Sequence, residues 1–428
     1  MPRRVRTARF RRLLLENVRC FQRVEIPLDE QVTVVVGENG TGKSTVIESL
    51  ASLTYGASRE GFTVFPLRKG TERGRIALYH AGHSGPAANW ESNAETAAGL
   101  PEDRYLFAYG RYRRVFTNDD DRPDRKNPAE LLDEMAHRAA QDRALTLNRP
   151  DNNLLRNISQ YLVALDFGRN SDPRLECIWQ RLATALPRID PRLRDLQFVD
   201  GSSGRVPAVV RNGVTLAFEE LSDGYQSLLV ILFDLALRYP YLFGALDSPL
   251  EGHALVAIDE IDLHLHPRWQ RTVVSQLVGL FPNTQLVITT HSPVVVQGAI
   301  DTNCKIVSLR ERDGGVEARA LGSGVLRRLC GAEVGSVLLE KILFGVESRY
   351  STRFSAFERR ADELQQRVSS ATASEEEYEE LSRILEIMEG LLAREDERRA
   401  DTSTVAQMAR MRAAFVKDLI AELKKARS

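Results

Sequence analysis

The stretch VVVGENGTGKSTVIESL, which begins at Val34, constrains the fold of this chain more than any other. Residues 37–44 match G-x-x-x-x-G-K-[ST], a loop whose backbone N–H groups wrap phosphate oxygens. The β-branched run at residues 32–36 predicts a strand buried on both faces, and a helix is expected from about Lys43. A strand, a glycine-rich turn and a helix N-terminus in this order predict an α/β fold that binds a nucleoside triphosphate.

The residue types in this loop suggest individual roles. The Lys43 ammonium is expected to contact the β- and γ-phosphates, and the Ser44 hydroxyl is expected to ligate Mg²⁺. The loop residues that we predict to contact nucleotide are Gly37, Asn39, Gly40, Gly42, Lys43, Ser44 and Thr45.

A second apolar run, LVAI at residues 255–258, ends in Asp259 and Glu260. Apolar runs that end in acids are common, so this pattern is informative only together with the phosphate-binding loop. In that context Asp259 is expected to lie near Mg²⁺, and Glu260 is expected to orient and deprotonate an attacking water. We therefore predict Ser44 and Asp259 as metal ligands and Glu260 as a catalytic residue.

Two further segments predict helix and strand ends at the same site. LSDGYQ at residues 221–226 precedes an apolar helix, with Ser222 as a plausible N-cap and Gly224 allowing close backbone approach. VITTHSP at residues 287–293 predicts a buried strand that delivers His291 to the carboxyl edge of the sheet. Ligands bind at that edge in open α/β sheets, so His291 is predicted to sense the γ-phosphate.

Composition excludes several classes of protein. The chain has 428 residues, of which 43% are hydrophobic, and this is enough apolar content for a large core. Its formal net charge of -1 restricts any nucleic-acid site to a local patch. Four scattered cysteines argue against a disulfide framework or a structural zinc site. No apolar run approaches a membrane span, so we expect a cytoplasmic protein without membrane contact.

The order of the patterns predicts a nucleotide domain that is split in sequence. Alternating apolar strands and helices favour a mainly parallel sheet covered by helices. Residues 1–115 and 197–321 are predicted to form the two halves of this domain. Residues 116–196 are predicted to form a helical insertion, and residues 322–428 a helical tail for dimer or partner docking.

The tail carries a heptad-like apolar stripe and a capping-box pattern at Ser374 and Glu377. The stripe consists of Tyr378, Leu381, Leu385, Met388 and Leu392. One interpretation is an antiparallel helical hairpin that packs on itself. The other is a docking face for a second copy or a partner.

Taken together, the motifs at residues 37–44, 221–226, 259–260 and 291 resemble an ABC-type ATPase of the SMC/RecF/OLD branch, over roughly residues 8–320. The resemblance implies an α/β ATPase head with a mainly parallel sheet, an antiparallel β subdomain, a helical insertion and a helical C-terminal tail. It also implies a head-to-tail homodimer that holds two ATP molecules between its protomers.

By that resemblance, residues 221–226 are the signature segment, Asp262 lies in the D-loop and His291 is the switch histidine. The predicted contacts from these segments are Ser222, Gly224, Gln226 and Asp262, with Ser222 and Gly224 reaching the nucleotide on the partner's Lys43. The glutamine of the family's Q-loop is not evident, because residues 109–111 read Tyr-Gly-Arg at the expected place.

The stretch DEIDLHLHP at residues 259–267 resembles OLD-like defence ATPases, and residues 338–350 resemble PtuA-like ATPases of Septu and retron systems. That resemblance implies an ATPase that controls an HNH-type nuclease or another effector in an anti-phage complex. The alternative is a RecF/SMC-like repair ATPase that binds DNA directly. Its candidate contacts are Arg111, Tyr112, Arg113 and Arg114, which could equally bind nucleotide phosphate or the acidic loop at residues 119–121.

Overall fold

A computed structural model describes residues 9–54, 67–81, 84–92, 100, 104–111, 113, 144–145, 152–201, 204–244, 249–312, 315–330, 343, 352–370 and 372–396. Several segments interpreted above lie outside these residues. They are Tyr112, Arg114, the acidic loop at 119–121 and, apart from Leu343, the segment 338–350.

The strands and helices of the first part of the chain surround the phosphate-binding loop. In chain order they are β1 (Phe10–Val18), β2 (Phe21–Pro27), β3 (Val32–Gly37), α1 (Lys43–Ser52), β4 (Arg75–His80), β5 (Pro86–Glu91), β6 (Tyr105–Tyr109), β7 (Ala144–Leu145), α2 (Asn152–Gly168) and α3 (Pro173–Ile189).

The second part returns to strands and then becomes helical. Its elements are β8 (Leu193–Gly201), β9 (Gly204–Arg211), β10 (Val214–Ala217), α4 (Asp223–Leu242), β11 (Ala254–Ile258), α5 (Pro267–Leu280), β12 (Gln285–Thr289), α6 (Pro293–Ile300), β13 (Cys304–Arg312), β14 (Gly315–Ala320), α7 (Ser323–Cys330), α8 (Thr352–Ser369) and α9 (Glu375–Asp396).

A seven-stranded sheet in the order β14-β13-β3-β12-β11-β6-β7 forms the centre of the nucleotide domain. All of its neighbouring pairs are parallel except β13 with β14. Parallel strands need crossover connections, and helices such as α5 and α6 supply them here. The prediction of a mainly parallel sheet is confirmed.

Two antiparallel sheets accompany the central one. A four-stranded sheet has the order β2-β1-β4-β5, and a three-stranded sheet has the order β10-β9-β8. In the latter, Asn212 and Gly213 have φ angles of 51° and 82°, the positive values that a two-residue type I′ hairpin turn requires. The Asn-Gly pair thus sets the register of β9 against β10, with Arg211 opposite Val214.

Core residues lie on both faces of the central sheet because side chains alternate along each strand. On β3, Val34 and Val36 pack in the cluster that contains α4, whereas Val35 packs in the cluster that contains α1 and the four-stranded sheet. All six residues of β3 are buried, as the continuous β-branched run predicts. The phosphate-binding loop therefore follows a strand held from both sides.

The chain divides into two compact units, Met1–Gly345 and Val346–Ser428. The first unit extends beyond residue 321 and includes α7, while the predicted helical insertion contains the short strand β7 as well as α2 and α3. The proposed regional boundaries stay a prediction. Within the described ranges, no helix is long and apolar enough to cross a membrane.

In the second unit, α8 and α9 form a hairpin with its own apolar cluster around Leu364 and Leu381, which are 0% and 1% exposed. The capping box is confirmed, since Ser374 N–H donates to Glu377 Oε2 (3.0 Å) and Glu377 N–H donates to Ser374 Oγ (3.3 Å). Leu381, a residue of the apolar stripe on α9, packs against α8 of the same hairpin, as the self-packing interpretation expects.

Candidate nucleotide-binding site

The predicted site residues converge because the strands that precede them are parallel neighbours. Strands β3, β12, β11 and β6 lie side by side and present their carboxyl ends at one edge of the sheet. The phosphate-binding loop directly follows β3. Asp259 and Glu260 directly follow β11, and His291 is the second residue after β12. Motifs more than 200 residues apart in sequence thereby meet at one place, as open α/β sheets require.

Two glycines of the phosphate-binding loop occupy positions where a side chain would clash. At Gly37, with φ of +154°, a Cβ atom would lie 2.5 Å from the carbonyl oxygen of Leu309. At Gly42, with φ of +91°, it would lie 2.6 Å from Cys20 Sγ. Both positions need glycine, because the positive φ angle and the neighbouring atoms of the chain itself leave no room for a side chain.

The Lys43 side chain is 6% exposed and closes back over its own loop. Its Nζ donates to the carbonyl oxygens of Gly37 (2.9 Å) and Glu38 (2.8 Å). Burial lowers the pKa of Lys43, and the nearby carboxylates of Asp259 and Glu260 oppose that shift. The ammonium therefore lies in the loop and within electrostatic reach of the acidic strand end.

The acidic strand end is held by Thr289 of β12. Thr289 Oγ1 donates to Asp259 Oδ1 (2.6 Å) and accepts from the backbone N–H of Glu260 (2.7 Å). Asp259 is 5% exposed, whereas the Glu260 side chain is partly exposed at the edge. Glu260 has a φ of 45°, the left-handed region that non-glycine residues seldom adopt. The backbone at the proposed catalytic base is thus in an unusual conformation.

The segment after β12 connects His291 to the D-loop. Thr290 Oγ1 donates to Asp262 Oδ1 (2.6 Å), and Ser292 caps α6 by accepting from the N–H groups of Val294 and Val295. His291 reaches the surface but is partly covered by its neighbours, and this partial burial lowers its pKa, as does the charge of Lys43, while the nearby carboxylates oppose the shift. The imidazole is therefore neutral at physiological pH and lies near the loop lysine.

The signature segment begins α4 and packs on the D-loop of the same chain. Ser222 is at the N-cap position as predicted, but its side chain makes no cap hydrogen bond and is exposed. At Gly224 a Cβ atom would lie 2.4 Å from the carbonyl oxygen of His264, so the close approach allowed by this glycine is to the chain's own backbone. Gln226 Nε2 donates to the carbonyl oxygens of Glu219 and Leu221 and so braces the segment.

Arg113, a candidate DNA contact, is 1% exposed and therefore cannot serve as one in this structure. Its guanidinium donates to the carbonyl oxygens of Asp259 (2.6 Å) and Glu260 (2.8 Å) and to Ser227 Oγ (2.9 Å). An Arg-rich, Tyr-containing stretch reads as a nucleic-acid patch in sequence, but here one of its arginines is part of the core. This burial removes Arg113 from the proposed DNA-binding cluster.

The donor set fits a triphosphate with Mg²⁺. The helix α1 begins at Lys43, directly after the loop, so its first backbone N–H groups can bind phosphate oxygens. A serine hydroxyl at position 44 and a buried carboxylate at position 259 are oxygen ligands of the type that Mg²⁺ prefers.

The sequence interpretation missed Thr289, Thr290 and the structural role of Arg113. The signal for the threonines was present, since polar residues directly after the apolar run 286–288 are expected at a functional sheet edge. It also missed Arg19, whose guanidinium donates to Thr45 Oγ1 (3.3 Å) and pairs with Glu48 (2.6 Å) beside α1.

Comparison with known proteins agrees with this arrangement. A family model described as "AAA domain, putative AbiEii toxin, Type IV TA system" matches residues 32–297. The Septu protein PtuA of Bacillus mycoides (strain KBAB4) is 28% identical over 280 residues, which cover 63% of this chain and 35% of that protein. The retron Vc95 probable ATPase of Vibrio cholerae serotype O1 biovar El Tor is 42% identical over 100 residues, which cover 23% of this chain and 20% of that protein.

The matched segments span about a third or less of the length of these two relatives. Among solved structures, the chain is similar to the Smc head domain with an extended coiled coil bound to the C-terminal domain of ScpA, derived from Pyrococcus furiosus. The identity is 15%, the match covers 75% of this chain and 98% of that chain, and the TM-score is 0.44.

Proposed function

Because the chain belongs to the family described as AAA domain, putative AbiEii toxin, Type IV TA system, and so to the ATP-hydrolysing enzymes, we propose that it hydrolyses ATP between two copies of itself and thereby controls a partner nuclease. The observation that carries this proposal is the meeting of Lys43, Asp259, Glu260 and His291 at one sheet edge.

The chain's own residues divide the work of hydrolysis. Lys43 leaves its loop carbonyls to bind the β- and γ-phosphates, and Ser44 and Asp259 would hold Mg²⁺, which neutralises phosphate charge when bound. Glu260 orients the attacking water and accepts its proton, and the neutral imidazole of His291 hydrogen-bonds near the γ-phosphate. Burial of Asp259 and Lys43 strengthens these interactions because the local dielectric is low.

The exposed N-terminus of α4 supports a site completed by a second copy. Ser222 is exposed, its hydroxyl is not used as a cap, and α4 is a 20-residue helix whose first N–H groups favour an anion. We assign Ser222 to the nucleotide held by Lys43 of the other protomer. The closed homodimer would therefore form only with ATP bound.

The proposed partner follows from the similarity to the Septu and retron proteins. Because parts of this chain are similar in sequence to a Septu PtuA and to a retron ATPase, we propose by analogy an HNH-type nuclease or another effector as partner in anti-phage defence. Co-expression with the neighbouring open reading frames should give a complex that survives affinity purification. If the chain purifies alone after co-expression with each neighbouring reading frame, the proposal of a partner is contradicted.

Glu260→Gln and Lys43→Ala separate ATP binding from hydrolysis. We expect Glu260→Gln to bind ATP and accumulate as a dimer while turnover falls by about 10²–10⁴-fold, the usual contribution of a general base. Lys43→Ala should lose ATP binding and the ATP-dependent dimer. Light scattering with ATP and steady-state phosphate release measure both. Wild-type turnover in Glu260→Gln would refute the role of Glu260.

Mixing two inactive variants tests whether the site is shared. Ser222→Arg blocks the exposed helix end but leaves Lys43 intact, and Lys43→Ala does the reverse. A mixed dimer contains one site with both residues intact, so ATP turnover should reappear on mixing. If the mixture stays inactive while each variant alone remains folded, the composite site is wrong.

A further inference from the structure

The buried guanidinium of Arg113 lies where β6 and β11 separate. The two strands pair in register up to Tyr109 opposite Ile258, and the N–H of Asp259 still donates to the carbonyl of Tyr109 (2.8 Å). Beyond that point the strands no longer pair, and Arg113 donates to the carbonyls of both Asp259 and Glu260. The Glu260 carbonyl also accepts from the backbone N–H of Leu263 (3.0 Å). Buried carbonyl groups need donors, and Arg113 supplies one to each of these two carbonyls where strand pairing has ended.

The chemistry of the residue suits this task. A guanidinium offers five N–H donors in a planar fork, so one group can reach several acceptors. Arg113 also donates to the carbonyl of Gly110 on its own loop and to Ser227 Oγ of α4. A charge that is 1% exposed is costly to bury, and here it is stabilised by carbonyl dipoles together with the nearby carboxylates.

Glu260 is the residue that this contact restrains. Its φ of 45° costs free energy, so the surroundings must hold it there. The peptide group before Glu260 is held by its N–H bond to Thr289 Oγ1 and by the bond from Arg113 to the Asp259 carbonyl. The peptide group after it is held by the bond from Arg113 to the Glu260 carbonyl and by two backbone bonds, from Leu263 N–H to that carbonyl and from Ile261 N–H to the Thr289 carbonyl. Arg113 is the side chain that contacts both peptide groups, and the backbone sets the direction of the Glu260 side chain.

We propose that Arg113 is a positioning residue for hydrolysis: together with Thr289 it holds Glu260 in the left-handed conformation that aims its carboxylate at the attacking water. This rests on the proposed function of Glu260 as the general base. The bond to Ser227 Oγ anchors the Arg113 side chain on α4.

Arg113→Lys is the primary test, because a lysine keeps the charge but cannot donate as a planar fork to two carbonyls. We expect kcat to fall by about 100-fold, as for a catalytic group misplaced by about 1 Å, with ATP affinity within about twofold of wild type. In a Glu260→Gln background, Arg113→Lys should lower kcat no further, because it acts through Glu260. Ser227→Ala, the matched control, removes only the bond to Nε and should leave most of the turnover.

If Arg113→Lys lowers ATP affinity and melting temperature together with kcat, Arg113 is merely a structural residue and the inference is overturned. A wild-type kcat in Arg113→Lys would also overturn it. Full turnover in Glu260→Gln alone would remove the proposed function, and the inference with it. An inactive Glu260→Gln beside an active Arg113→Lys would remove the inference alone.

Variants of Thr289 give a second test of the inference if Arg113→Lys does not unfold cooperatively. Thr289→Val is close in shape but loses both the bond accepted from the Glu260 N–H and the bond donated to Asp259, while Thr289→Ser keeps the hydroxyl that makes both. The valine variant should show the kcat loss with ATP binding retained, and the serine variant should not. Equal kcat in the two variants would contradict backbone positioning of Glu260.

Discussion

Gly224 of the signature segment is in contact with the backbone of the D-loop, and an alanine there would force the two apart. The new Cβ would lie 2.4 Å from the carbonyl oxygen of His264 and 3.2 Å from its carbon, whereas ordinary contacts begin at 3.4 Å. Both neighbours are backbone atoms, so no side chain can rotate away. The start of α4 or the D-loop must therefore shift by about 1 Å.

The cost follows from this displacement. Overpacking of a filled site typically costs about 1–3 kcal/mol, and the better helix propensity of alanine offsets part of it. A net loss of about 1–2 kcal/mol corresponds to a fall in melting temperature of roughly 1–3 °C for a unit as long as Met1–Gly345, because the entropy of unfolding grows with chain length. Turnover should suffer more, because a displacement of about 1 Å in catalytic geometry costs about 10²-fold.

Differential scanning fluorimetry and steady-state ATP hydrolysis on the full chain measure both effects. Gly279→Ala is the matched control, since Gly279 lies on α5 with nothing within 4 Å of the added Cβ. It should raise stability by about 0.4–1 kcal/mol and leave turnover unchanged. A Gly224→Ala chain with both wild-type melting temperature and wild-type turnover would refute the contact and the reasoning built on it.

Two further predictions concern the switch histidine and the helical hairpin. The pKa of His291 in the folded chain lies below the ordinary value of 6.5, so folding favours the neutral ring. This contribution to stability is fully present above pH 6.5 and is lost as the pH falls through the lowered pKa of the folded chain. Turnover should therefore be independent of pH above about pH 7 and should decline at acid pH. In His291→Gln the decline at acid pH should be less steep, as measured by stopped-flow phosphate release. Leu364→Ala should destabilise the hairpin by about 2–5 kcal/mol and speed amide exchange in α8 and α9. Ile387→Ala, at a side chain that is 45% exposed, should change exchange little, and equal effects of the two variants would contradict the packing.

Local signals in the sequence were sufficient for many elements. The run at residues 32–36 predicts a doubly buried strand, and the Asn212-Gly213 pair predicts a tight turn, because each depends on neighbours within a few residues. The capping box at Ser374 is read in the same way. The fold class follows from the order of these signals, since alternating strands and helices leave few topologies.

Roles that depend on distant partners were not readable in the same way. Ser222 reads as a capping residue, yet its side chain does not cap α4, because capping depends on the side-chain conformation as well as on position. Gly224 reads as a place for a ligand, and its close neighbour is His264 of the same chain, 40 positions away.

The sequence by itself determined that this chain carries a phosphate-binding loop, an acidic strand end and a histidine-bearing strand end in the order of an ATPase. Only the tertiary structure decided how those groups are supported. Arg113 is separated from Glu260 by 147 positions, and their contact exists because β6 and β11 pair side by side and then diverge. Hydrogen bonds across such a separation depend on the order of strands in the sheet, and residue identity alone does not encode which backbone carbonyls a distant side chain will reach.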